Sequence, residues 1–157
     1  MRFVSVSTFF FALIFVTQAH AQERQWGLDT VNNQAFLVFG VPESDDVGLS
    51  FWCDIGKSKV SAFLPETVAP LRRGERISIA MDVDGQTQKL AANVARDDGS
   101  GKLTVETTFA LKGSMMKALR EGQSLAIIVK GHVNSFPIAD ADFDGLVDAC
   151  SGIDPAG

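Results

Sequence analysis

Hydrophobic and polar positions alternate with a period of two through most of this chain. Val47, Leu49, Phe51, Cys53 and Ile55 share one face while Gly48, Ser50, Trp52 and Asp54 share the other, the pattern of a half-buried strand with one large aromatic on its second face. Ile77, Ile79, Met81 and Val83 alternate in the same way against Ser78, Ala80, Asp82 and Asp84. Leu103, Val105, Thr107 and Phe109 do so after the turn cluster Asp97-Asp98-Gly99-Ser100-Gly101. Asp84-Gly85 reads as a tight hairpin turn. Ala35 to Phe39 and Leu125 to Val129 are apolar on both faces, which predicts strands at the centre of a sheet or covered on both sides.

Two segments break the period. Ser114 is placed to cap a short helix through Met115, Met116, Ala118 and Leu119 that stops at Gly122. Phe143, Leu146, Val147 and Cys150 are spaced i, i+3, i+4, i+7, so a helix from Asp142 to Cys150 would turn all four inward. The expected fold is mainly β: a single-domain β-sandwich or small barrel of about seven to nine strands, with one short internal helix and a C-terminal helix. Pro65 to Pro70, followed by Arg72-Arg73-Gly74, marks the clearest loop.

The first 21 residues have a different character. They carry Arg2, no acidic residue and an apolar run from Phe9 to Val16, and close on Ala19-His20-Ala21. The run is too short to span a bilayer, and the two alanines fit the specificity positions of signal peptidase. Residues 1–21 are therefore expected to be a signal peptide and residues 22–157 a single β-rich domain, periplasmic or secreted, and not membrane-embedded once the signal is removed. Gln22 stands where a lipoprotein would need cysteine.

Export changes how the charge and the cysteines are read. Loss of Arg2 takes Lys+Arg from 14 to 13 against 19 Asp+Glu, which moves the formal charge from −5 to −6. A nucleic-acid partner would favour the opposite sign. Cys53 and Cys150 would meet an oxidising compartment, where a single pairing is open to them; the alternative is two free buried thiols. A bridge would close a loop of 97 sequence steps, worth about 4 to 5 kcal/mol in the chain-entropy model.

Few residues offer chemistry. Asp140-Ala141-Asp142-Phe143-Asp144-Gly145 matches the first half of a calcium loop, with Asp148 at the ninth position. The twelfth position is Ser151 rather than a bidentate glutamate, and the apolar stripe requires a helix through the same residues. Asp140, Asp142, Asp144 and Asp148 are therefore the weak candidate for calcium, and the expected metal set is empty. Asp82 and Asp84 would lie roughly 7 Å apart by strand rise, within glycosidase range, although a solvated face before a hairpin is the favoured reading. After the signal only His132 remains, there is no G-x-S-x-G elbow, and Ser58 and Ser61 read as plain strand serines. No catalytic residue and no cofactor is expected. Lys57, Lys59, Arg72, Arg73 and Arg76 form the one concentration of positive charge. They are a candidate contact surface for an anionic envelope component or acidic partner, gathered at one end of the sandwich; the alternative is scattered solubilising charge.

Ser44-Asp45-Asp46 before the strand ending in Cys53, the later Asp82 strand, and Phe136-x-Ile138 leading to a helix that ends in Ala149-Cys150 resemble the layout of small exported β-sandwich proteins of Gram-negative bacteria. Two such groups are the periplasmic accessory proteins associated with type VI secretion and the invasion-associated locus B family. The resemblance runs from Asp45 to Cys150 and departs from these groups in its short N-terminal region and single disulfide. It brings no site residues with it. It implies envelope or host-surface biology, so the leading expectation is a non-enzymatic exported binding module for a protein or envelope component. The second is an inhibitor of an envelope hydrolase presenting the loop Pro65 to Gly74, and a calcium-binding protein or an enzyme comes last.

Overall fold

Three two-residue turns set the architecture. Asn32-Asn33, Asp84-Gly85 and Lys130-Gly131 each have positive φ at both positions, the conformation whose twist matches the strands of a two-residue hairpin. The first joins β1 (Gln25–Val31) to β2 (Gln34–Gly40), the second β5 (Arg76–Val83) to β6 (Gln86–Arg96), and the third β8 (Ser124–Val129) to β9 (His132–Pro137). Between them lie β3 (Val47–Asp54), β4 (Lys59–Leu64), β7 (Leu103–Ala110) and two helices, α1 (Ser114–Glu121) and α2 (Phe143–Ser151). The structure, a computed structural model, describes residues 23–65, 67–97, 99 and 101–152; the expected signal peptide and its cleavage site lie outside these residues.

The nine strands among the described residues pair antiparallel in one sheet, in the order β1-β2-β3-β4-β7-β6-β5-β8-β9. The meander β5-β6-β7 is flanked by β4 beside β7 and by β8 beside β5, so two Greek keys share one meander. The core-facing residues follow the expected alternation, although Gly48, Ser50 and Thr104 on the second faces are buried as well. Leu49, Phe51 and Cys53 of β3 are buried, as are Ile79, Met81 and Val83 of β5, and Val105, Thr107 and Phe109 of β7. The two strands that are apolar on both faces are not central, however: β2 and β8 each lie one place in from an edge. Their second faces are only half-buried.

The sheet curls until its two ends touch at a corner. Trp26 of β1 donates from Nε1 to the carbonyl of Pro137 at the end of β9, 2.6 Å away. Its ring packs against Phe39, Phe51 and Phe143, with centroids 5.2, 6.2 and 6.0 Å away. Because β1 and β9 run in the same direction, contact between the start of one and the end of the other offsets the two edges, as strand stagger does in a barrel. α2 fills the remaining gap on the concave side. Its Phe143, Leu146 and Cys150 are buried, and Phe143 meets Phe51 edge-on at 5.1 Å.

Both helices start one residue away from the sequence expectation. Gly113, not Ser114, is the N-cap of α1, and the Ser114 hydroxyl instead donates to the Gln88 side chain. Asp142 caps α2 from outside it, accepting from the Gly145 N–H at 2.8 Å. α1 ends at Gly122 in an extended conformation, not a left-handed cap, and the close packing there requires glycine: a Cβ would stand 3.0 Å from the Ala118 carbonyl and overlap Val83. Among the described residues no helix is long and apolar enough to cross a membrane.

Candidate functional site

A curled sheet with a filled concave side should be polar on its convex side. Over β2, β3 and β4 it is not. Phe36 and Val38 of β2, Trp52 of β3 and Phe63 of β4 point away from the core and stay half-exposed. Phe36 sits directly opposite Trp52 in the ladder, and their rings stack with centroids 6.5 Å apart and planes inclined by 24°. Cross-strand aromatic pairs of this kind hold each other flat against the pleat.

The stacked pair forms a ridge between two hollows. On the Phe36 side a groove of about 560 Å³ is floored by Val38, Ser50 and Phe63. Its rim comes from Asp45 in the β2–β3 loop and from Asp97 and Lys102 of the β6–β7 hairpin. On the Trp52 side a smaller hollow of about 380 Å³ is bounded by Asp54, Lys57, Lys59 and Ser61. Ser61 is tied to its ladder partner Thr108 through their hydroxyls at 3.1 Å, and Asp54 accepts from the Gln34 amide at 2.8 Å. Lys57 and Lys59 are exposed and make no ion pair among the described residues. The surface therefore offers flat apolar contact, a few fixed hydroxyls and two available ammonium groups side by side.

The five basic candidates do not form one patch. Lys59 pairs with Ala110, whereas Arg76 lies on the row Phe63, Glu106, Asn93, four residues further along β4. With Lys57 preceding β4 and Arg72 and Arg73 preceding β5, the lysines and the arginines sit at opposite ends of the sheet. They are separated by roughly 13 Å along the strands and about 14 Å across them. The arginine loop is itself held down. Lys130 Nζ donates to the Pro70 carbonyl at 2.8 Å and to Glu75, Thr67 shares a hydrogen bond with Asn134, and Ala69 is buried. Hydrogen bonding from Lys130 is the main reason that the Glu75 carboxyl lies below its usual range.

The acidic candidates separate as well. Asp82 accepts from the Gly85 N–H at 2.9 Å and from Thr87, while Asp84, at a φ of 49° in the turn, reaches across to the start of β8. Its carboxylate accepts from the N–H of Gln123 at 2.7 Å and from the N–H and hydroxyl of Ser124. Those bonds, the one from Gln123 first, hold Asp84 below the usual carboxylate range. Asp84 thus fastens the β5–β6 turn to the start of β8, while Asp82 bonds within its own hairpin. The calcium candidates lie on or beside α2, where Asp142 is its cap and Asp144 pairs with Arg120. Asp140 and Asp148 are exposed. Among the described residues no group of three or more His, Cys, Asp or Glu is placed to hold a metal ion. Cys53 and Cys150 are disulfide-bonded, with Cα atoms 5.9 Å apart. His132 opens β9 and is exposed, and Ser58 lies in the bend before β4 while Ser61 is in the strand.

Trp52 is legible in the sequence as a large aromatic on the second face of its strand, but nothing local joins it to Phe36 and Phe63. The available signal was the doubly apolar run from Ala35 to Phe39, which placed a large side chain on the far side of β2. No protein-family model matches this chain, and no curated protein matches it. Among solved structures the chain is similar to the crystal structure of invasion associated protein b from Bartonella henselae. The identity is 14% and the TM-score 0.46, over 81% of this chain and 89% of that one.

Proposed function

We propose that this protein is a non-enzymatic, exported binding module that engages its partner through the convex face of β2 to β4. The observation that carries the reading is the Phe36–Trp52 stack with Phe63 beside it, aromatic area held half-exposed on the side of the sheet where no core needs it. Lys57 and Lys59 at one margin favour a partner with negative charge facing the Trp52 hollow. The disulfide suits an oxidising compartment, consistent with the signal-like first 21 residues.

The test combines processing and capture. Purified from the cell envelope, the chain is expected to begin at Gln22. A photo-crosslinker at Ser61 should then trap a discrete envelope component, lost in Trp52→Ala and weakened in Lys57→Glu/Lys59→Glu, while Arg72→Glu/Arg73→Glu leaves it. Capture unchanged by Trp52→Ala, or a chain retained unprocessed in the cytoplasm, would overturn the reading. A product trapped from the Pro65 to Gly74 loop alone would point instead to the inhibitor mode.

A further inference from the structure

The geometry of the last strand points to a second site of association, independent of the aromatic face: we infer that β9 is the pairing edge of a two-fold dimer of this chain. Lys130-Gly131 closes β8 onto β9 as a two-residue turn. A two-residue hairpin makes its flanking residues, Val129 and His132, a hydrogen-bonded pair. Alternation then makes Ile127 with Asn134, and Leu125 with Phe136, hydrogen-bonded pairs, and turns the backbone N–H and C=O of Val133 and Ser135 away from β8. Pro137 falls in the same outward set, and its carbonyl is the one that Trp26 takes. The curl of the sheet therefore closes one end of the β9 edge, and among the described residues no backbone group bonds to the outward side of Val133 or Ser135.

Edges of this kind are normally guarded by charge, proline or a bulge. Here His132–Pro137 reads His-Val-Asn-Ser-Phe-Pro, with no Asp, Glu, Lys or Arg, and its proline stands only at the end already closed by Trp26. The opposite edge, β1, carries Asp29. Val133, one of the two residues whose backbone faces outward, is 61% exposed. No other large apolar side chain on a strand among the described residues is as exposed.

A second copy fits this edge because the edge is self-complementary. With a two-fold axis through Asn134, Val133 of one chain lies opposite Ser135 of the other, and each such pair exchanges two hydrogen bonds without bringing like charges together. The contact is short, so a weak, concentration-dependent dimer follows.

Sedimentation velocity on the purified, disulfide-bonded protein over a concentration series tests this directly. The expected result is a monomer–dimer equilibrium whose dissociation constant rises about tenfold or more in Ser135→Pro, which deletes an outward N–H that β8 does not use. Val133→Lys, which leaves the backbone intact and places like charges near the axis, should do the same, while Trp52→Ala should not. Circular dichroism of each variant separates lost pairing from lost folding. A chain that stays monomeric at every concentration, or a dimer indifferent to both edge substitutions, overturns the inference.

Discussion

The indole N–H of Trp26 and the carbonyl of Pro137, 111 residues apart in sequence, meet at 2.6 Å and join the first strand of the sheet to the last. The same indole ring touches Phe39, Phe51 and Phe143, so one side chain links β1, β2, β3 and α2 as well as the far edge. Its polar tip satisfies an edge carbonyl, and its body fills the seam where the curled sheet fails to close on itself.

That double role separates two substitutions. Trp26→Phe keeps most of the ring contact and removes the donor, an expected loss of about 1 kcal/mol. Trp26→Ala removes the contact too and should cost about 3 to 5 kcal/mol. Urea denaturation of both variants checks the difference; equal losses would mean that the hydrogen bond carries the whole effect.

The Cys53–Cys150 bridge ties the end of α2 to β3, beside the backbone bond from the Gly56 N–H to the Cys150 carbonyl at 2.7 Å. Reduction, or Cys53→Ala with Cys150→Ala, should lower unfolding free energy by about 4 to 5 kcal/mol. Denaturation with and without reductant measures this, and thiol labelling of the unfolded, unreduced protein should find no free cysteine.

Asp84 gives a pH signature. Its folded-state pKa lies below the ordinary value, so its contribution to stability is complete above the unfolded pKa and disappears as pH falls through the folded one. Asp84→Asn should therefore be less stable than the parent at neutral pH, with the gap closing below about pH 4. Glu75, lowered chiefly by Lys130, follows the same sign, so Lys130→Met should also flatten the acid limb. Thermal melts from neutral to acid pH decide both; a gap that widens toward acid would contradict the assignment.

Calcium should not bind α2 with useful affinity. Coordination by Asp140, Asp142, Asp144 and Asp148 would require unwinding the turn that buries Phe143 and Leu146, side chains worth about 1.5 to 3 kcal/mol each. Calorimetric titration is expected to show no saturable heat, and micromolar binding abolished by Asp142→Ala would reverse that view.

Local pattern alone determined many of the elements of this protein. The period-two faces of β3, β5 and β7, the stripe of α2 and the Asp84-Gly85 turn were legible because each depends on neighbours within a few residues. β1 was harder to see, since Gln25–Val31 is almost wholly exposed apart from Trp26, and Asn32-Asn33 had to be recognised as two residues that tolerate positive φ. Strand order, by contrast, belongs to the tertiary structure: no local pattern says that β4 pairs with β7 and β5 with β8. Only that order separates Lys57 and Lys59 from Arg72, Arg73 and Arg76, and only the curl distinguishes Phe51 in the core from Phe36 and Phe63 on the convex face. A phenylalanine has the same local signature on either side of a sheet. Which side becomes the interior is decided by where the edges meet and where the helices pack, and that depends on contacts more than a hundred residues apart, such as Trp26 with Pro137.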